Sequence, residues 1–112
     1  MKHVPFAVSP GSVLREEIEK GLGISQERLA RALGVSRLTV NEIVNEKRNV
    51  TAEMALKLAK ALGTEPEFWL TLQQGWDLFK AQEKCGDLPD VEVLRAPVEF
   101  PDGAAERRYA AR

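Results

Sequence analysis

The sequence predicts an all-α fold, a bundle of five helices followed by an irregular C-terminal tail. Apolar residues recur at helical spacing, serine, threonine or proline precedes each such stretch, and glycine follows most of them. A chain of 112 residues is expected to bury one core, so we predict a single helical domain. We divide the chain into an N-terminal arm (1–8), this domain (9–85) and the tail (86–112).

The first helix is predicted to begin at Ser9-Pro10. The serine oxygen can cap free amides, and proline in the first turn loses no donor that the helix needs. Its apolar face consists of Val13, Leu14, Ile18 and Leu22, and the helix is expected to stop at Gly21 or Gly23. The preceding arm is interrupted by proline, which leaves an extended arm or a strand as alternatives.

Residues 25–48 contain two short helical patterns separated by Gly34. Ser25 and Ser36 stand where N-cap oxygens are needed, and glycine adopts the positive φ of a sharp turn without steric cost. We expect the inward side chains to hold the two helices together; they are Leu29, Ala30, Leu33, Val35, Val40 and Ile43. We interpret this stretch as a helix-turn-helix.

The outer face of the second of these helices is polar. It presents Arg37, Thr39, Asn41 and Glu42 with Leu38 alongside, and Gln26 begins the preceding helix. Such groups can address base edges and phosphates, so we predict a DNA-binding surface here. Arg28 and Arg31 have two interpretations, DNA contact or solvated charges paired along their own helix.

Two further helices follow a polar loop. Thr51 is predicted to cap the fourth helix, whose stripe is Ala55, Leu58, Ala59 and Leu62, and Gly63 to end it. Residues 64–67, TEPE, have the form of a capping box that opens a long fifth helix towards Cys85, with Gly75 as an interruption.

The fifth helix carries more aromatic surface than a small bundle can bury. We therefore predict a homodimer through Phe68, Trp69, Leu72, Trp76 and Phe79. For the two tryptophans a second interpretation stays open, namely that they are buried anchors of their own helix. In the tail, residues 91–100 (VEVLRAPVEF) allow an edge strand on a partner, although the prolines favour disorder in isolation.

Composition argues against an enzyme and against a membrane protein. One histidine, His3, and one cysteine, Cys85, leave no constellation for nucleophilic catalysis or a metal site, so we expect no cofactor. No signal peptide and no membrane-length apolar run is present, which predicts a cytoplasmic location. The net charge is −1, and the local basic face needed for DNA includes Lys47 and Arg48, tempered by nearby glutamates.

The chain resembles the HigA/VapI-type antitoxins of the Xre (phage-repressor-like) helix-turn-helix class. The resemblance covers roughly residues 9–84, and its most specific parts are RNVTAEMALKLAKALGT (48–64) and PEFWLTLQQGWDL (66–78). Residues 9–14, SPGSVL, depart from the family's usual opening HPGEIL, with serine before the proline and serine in place of glutamate.

The resemblance implies a cytoplasmic protein that neutralises a HigB-type messenger-RNA interferase and represses its own operon. Each subunit of a dimer would insert the helix beginning at Arg37 into the major groove of an operator half-site. Arg37 would read guanine, Asn41 adenine, and Thr39 or Leu38 a thymine methyl group. Phosphates would be held by Gln26, Ser36, Asn45, Lys47 and Arg48. A stand-alone repressor is the alternative, whereas the proline-broken tail argues against a cyanase-like enzyme.

Overall fold

Five helices follow one another in the computed structural model, which describes residues 7–96. They are α1 (Pro10–Glu16, continued by a π-helical segment, Glu17–Leu22), α2 (Gln26–Leu33), α3 (Arg37–Val44), α4 (Ala52–Leu62) and α5 (Pro66–Cys85). No strand occurs within this range, and no helix in it is long and apolar enough to cross a membrane. The predicted all-α bundle is confirmed, while the predicted arm lies almost entirely outside the described residues.

Local capping explains where α1 to α4 begin. Ser9, Ser25, Ser36 and Thr51 each accept a hydrogen bond from the backbone amide three residues further on, at distances of 3.0 to 3.2 Å. Each bond satisfies one of the amides that have no partner inside the helix. These four predicted starts are confirmed, as is the left-handed turn at Gly34, which has φ 70°.

One apolar core joins the helices. It includes the side chains predicted to hold α2 and α3 together, except that Val35 is only partly buried and packs against its edge. The buried apolar residues are Leu14, Ile18, Leu29, Ala30, Leu33, Val40, Ile43, Val44, Val50, Met54, Ala55, Leu58 and Trp69. This core presses α3 against α1 and α2 and leaves the opposite side of α3 exposed.

The N-terminal helix differs from its prediction in its second half. Glu17–Leu22 is π-helical, and the left-handed residue Gly23 (φ 64°) follows it, so the helix passes through Gly21. A π-turn holds more residues than an α-turn and therefore rotates later side chains away from an α-helical stripe. Leu22 is consequently 52% exposed, and its predicted place on the apolar face is wrong.

The α1 helix crosses α3 at very short range. Gly11 is buried, and a Cβ atom there would collide with the Ile43 carbonyl oxygen and press on that of Val44. Only a residue without a side chain permits this approach. The crossing brings the N-terminus of α1 next to the end of α3 and the turn that follows it.

The start of α5 is built differently from the predicted capping box. Glu65 is the N-cap residue and makes no side-chain cap, while the Thr64 hydroxyl accepts a hydrogen bond from the Trp69 indole N–H at 2.7 Å. The buried Trp69 indole needs a hydrogen-bond acceptor, and the Thr64 hydroxyl serves it instead of capping α5. Gly75 does not interrupt α5, which runs unbroken to Cys85.

Candidate nucleic-acid interface

The exposed side of α3 carries most of the residues predicted to contact DNA. Val40, Ile43 and Val44 point into the core, so the helical period turns the other positions outwards. The outward side chains are Arg37, Leu38, Asn41, Glu42 and, at the C-cap, Asn45. An 8-residue helix exposed along one side has the shape that enters a major groove.

Two cations in this region are available for a new partner. The side chains of Arg37, at the first turn of α3, and Lys47, in the turn after it, are exposed and make no hydrogen bond or ion pair within residues 7–96. Leu38 is 64% exposed next to Arg37. A free guanidinium beside an apolar group fits the contacts that guanine and a thymine methyl group offer.

The polar side chains of the interface are arranged by hydrogen bonds between them. Asn41 Nδ2 donates to Gln26 Oε1 at 3.1 Å, which joins the first residue of α2 to the middle of α3. The Ser36 and Thr39 hydroxyls are 2.9 Å apart and bonded, although Ser36 also caps α3. Amide and hydroxyl groups held in this way lose less conformational entropy when they bind.

Arg48 is paired before any DNA is present. Its Nε and Nη2 atoms donate to one carboxylate oxygen of Glu42 at 3.0 and 2.7 Å. The two side chains are 49% and 30% exposed, so water screens the pair and its contribution to stability is small. Glu42 thus lies among the predicted DNA-contacting groups and is bonded directly to one of them.

Both polar atoms of the Asn45 side chain are hydrogen-bonded. Its Oδ1 atom accepts a hydrogen bond from Arg15 of α1 at 3.0 Å, and its Nδ2 atom donates to the Asn41 carbonyl oxygen at 2.9 Å. Arg15 therefore lies beside the predicted phosphate contacts, where it adds a positive charge. The local sequence does not predict that Arg15 lies beside this surface, because its contact with Asn45 joins residues thirty positions apart.

A groove runs along one flank of the interface between α3 and α4. Its volume is about 340 Å³, and Thr39, Arg48, Thr51 and Lys57 are among the residues that line it. Within residues 7–96 no group of histidine, cysteine, aspartate and glutamate side chains has the arrangement of a metal site.

The residues predicted to form the dimer surface of α5 separate into two sets. Trp69 is 1% exposed and belongs to the core, so it is removed from the predicted interface and fits the alternative of a buried anchor. Phe68 is 44% exposed, and Leu72, Trp76 and Phe79 are partly buried. The Trp76 and Phe79 rings stack with centroids 5.8 Å apart.

Comparison with known proteins places these features in a family. A helix-turn-helix family model matches residues 14–69. Antitoxin HigA-1 of Vibrio cholerae serotype O1 is 43% identical over 77 residues, which cover 69% of this chain and 72% of that protein. This chain belongs to the helix-turn-helix family of HigA-type antitoxins. Virulence-associated protein A' of Dichelobacter nodosus is 43% identical over 107 residues, 95% of this chain and 88% of that protein.

Solved structures of HigA-type relatives share the fold. The antitoxin GraA in complex with its operator superposes with a TM-score of 0.75 at 45% identity, over 88% of this chain and 99% of that one. The Pseudomonas aeruginosa antitoxin HigA with the higBA promoter gives a TM-score of 0.75 at 38% identity, over 80% and 100% of the two chains. The predicted family and fold are confirmed. The relatives found are antitoxins and transcriptional regulators, not enzymes.

Proposed function

We propose that this protein is the antitoxin of a type II toxin–antitoxin module, which binds a HigB-type toxin directly and represses its own operon by binding operator DNA. The observation that carries the proposal is the exposed polar side of α3. There the Arg37 side chain, like that of Lys47 in the following turn, makes no ion pair within the described residues. The relatives support it, because two HigA-type structures hold operator or promoter DNA. We expect the protein to carry out both activities in the cytoplasm.

In the proposed complex α3 lies in the major groove. Arg37 reads a guanine through bidentate hydrogen bonds, Asn41 reads an adenine with its side chain held by Gln26, and Leu38 or Thr39 contacts a thymine methyl group. The phosphate contacts come from Gln26, Ser36, Asn45, Lys47 and Arg48, now joined by Arg15. The Ser36 hydroxyl, already a cap, contributes by orienting the first turn of α3.

We propose a homodimer through the exposed side of α5. Support comes from the half-exposed Phe68 and from the second half of the helix, Asp77 onwards, where no side chain is buried. A helical segment with no buried side chain is marginally stable in water, so a second copy would account for its persistence. Two α3 helices in such a dimer would meet half-sites about 34 Å apart.

The DNA-binding part of the proposal is tested with the segment directly upstream of the protein's own coding sequence. We expect the protein to bind this duplex more tightly than a scrambled duplex of equal length. Arg37→Ala should cost about 1–3 kcal/mol at one base position, while Arg48→Ala should weaken binding to all sequences and lower the salt slope by about one. Fluorescence anisotropy at several salt concentrations measures both. Equal affinity of the wild type for the two duplexes would contradict the proposal.

The toxin-binding part is tested with the product of the neighbouring reading frame. Co-expression should rescue growth from that product, and the two proteins should purify together. If the wild type binds the upstream DNA but neither rescues growth nor associates with the neighbour, the stand-alone repressor is the correct alternative. YbaQ of Escherichia coli, an HTH-type transcriptional regulator 38% identical to this chain, supports that alternative.

A further inference from the structure

Gln73 is a buried polar side chain on α5 that apolar packing does not explain. It is 8% exposed, and both the oxygen and the nitrogen of its side-chain amide are hydrogen-bonded. Oε1 accepts from the Val50 backbone N–H at 2.7 Å, and Nε2 donates to Asn49 Oδ1 at 3.2 Å and to Asp77 Oδ1 at 2.8 Å. Burying an amide is costly unless its hydrogen bonds are made, and here two of the three bonds lead to residues 49–50.

Those two residues end the turn that carries the candidate phosphate contacts Lys47 and Arg48. The other side of the turn is held from α1, because the Ser9 hydroxyl, 2% exposed, donates to Glu46 Oε1 at 2.8 Å. Glu46 has φ 62°, a left-handed conformation that a residue other than glycine adopts at a cost. Lys47 and Arg48 therefore lie between two attachments, each made by a buried side chain: Ser9 at the N-terminus of α1 and Gln73 on α5.

We propose that Gln73 is a positioning residue for DNA binding, which holds the turn bearing Lys47 and Arg48 in the shape that meets the phosphates. The inference rests on the proposed DNA binding of this protein. A turn that is ordered in advance loses less conformational entropy on binding than a mobile one, and that difference appears as affinity. Because Gln73 belongs to α5, a change in the position of α5 moves this turn as well.

The first test replaces the amide by an apolar side chain of similar length, Gln73→Met. Binding to the duplex upstream of the coding sequence should weaken about 2- to 30-fold, the range for residues that act through a neighbour. The salt slope should fall by about one to two, because one or two phosphate contacts are lost. Gln74→Met, at the exposed neighbouring position, is the matched control and should change neither value. Circular dichroism and sedimentation confirm the fold and the oligomeric state of each variant.

The second test restores the three hydrogen bonds, two of them with donor and acceptor exchanged. Gln73→Glu alone places a carboxylate beside that of Asp77 and should weaken DNA binding. In the double variant Q73E/D77N the new carboxylate accepts from the Val50 amide, from the new amide at position 77 and from the Asn49 amide after a flip. Its net charge equals that of the wild type, so the salt slopes compare directly. The double variant should regain most of the affinity and the wild-type slope.

The outcomes separate this inference from the proposed function. If the wild type does not prefer the upstream duplex, the proposed DNA binding fails and the role of Gln73 fails with it. If the wild type binds and Gln73→Met shows the same affinity and slope, only the inference is overturned. A double variant as weak as Gln73→Glu overturns it too, and this comparison decides if Gln73→Met does not fold.

Discussion

Glu42 is the one acidic side chain on the predicted DNA-contacting face of α3, and it binds the guanidinium of Arg48. A carboxylate in this place repels phosphates and competes with them for the guanidinium of Arg48. We expect Glu42→Gln to raise affinity for operator and scrambled duplexes alike by about 1 kcal/mol. The salt slope should stay close to that of the wild type, because Arg48 already makes its phosphate contact there and the number of contacts does not change.

The control for Glu42 is Glu67→Gln, which removes the same charge from an exposed position in the first turn of α5. It should leave both affinities nearly unchanged. A loss of operator affinity in Glu42→Gln, with scrambled DNA unaffected, would show instead that the carboxylate reads a cytosine amino group. The change in folding stability should stay below about 1 kcal/mol, since the pair is screened by water.

Residue identities and spacing predicted which side chains face outwards on α3, but not how they pair. The outward positions follow from the helical period, which is local. The bond from Asn41 to Gln26 spans 15 residues and that from Arg15 to Asn45 spans 30, so they depend on how α1 and α2 pack against α3. Gln73 was missed for the same reason, because two of its three partners lie 23 and 24 positions away.

At the level of helices, the accurate predictions were those that rest on contacts within one turn. Ser25, Ser36 and Thr51 cap the helices they precede, since an N-cap needs only an amide three residues away. The capping box at the start of α5 failed because Thr64 serves the Trp69 indole. The π-helical segment was not predicted, since its extra residue per turn has no local sequence pattern.

Two glycines in helices are expected to respond in opposite ways to alanine. Gly75 lies inside α5, and a Cβ there meets nothing within 4 Å, so Gly75→Ala should stabilise the fold by about 0.5–1 kcal/mol through helix propensity. Gly11→Ala should destabilise it by about 1–3 kcal/mol or more, because α1 must move away from the Ile43 carbonyl oxygen. Urea unfolding of the two variants measures both changes.

The pair is its own control, since each variant adds the same methyl group within a helix. Destabilisation by Gly75→Ala would mean that another chain packs closely against α5 at that position. A Gly11→Ala variant as stable as the wild type would contradict the close crossing of α1 and α3. That crossing also holds Ser9 next to Glu46, so a weakened bond there should lower DNA affinity in Gly11→Ala.

Across the whole molecule, apolar surface is left exposed mainly at the C-terminal end of the described chain. The second half of α5 has no buried side chain, and Leu78 is 52% exposed. Beyond it, residues 86–96 form neither helix nor strand, and Val93 and Leu94 are 76% and 87% exposed. The last buried side chain of α5 is that of Gln73, so the rest of the helix adds no buried side chain to the core of its own bundle.

In the proposed homodimer a second copy of the chain covers this surface, and Phe79 is the residue that tests it. Its ring stacks on Trp76, lies away from the core and is only partly buried. Phe79→Glu should therefore leave the bundle folded while it weakens the dimer about 30-fold or more, as expected for an interface anchor. Sedimentation over a range of concentrations measures the dissociation constant, and Leu56→Glu, at a 61% exposed position on α4, is the control.

Dimer dissociation should change how the protein responds to the spacing of its two half-sites. A dimer holds two α3 helices at one separation, so the insertion of five base pairs between half-sites turns one of them to the opposite side of the duplex. Wild-type binding should then fall to the level of a single half-site. Phe79→Glu should bind both spacings equally weakly, because each monomer engages one half-site alone. If the wild type is indifferent to spacing while sedimenting as a dimer, the two α3 helices do not bind the same operator, and α5 serves a different assembly.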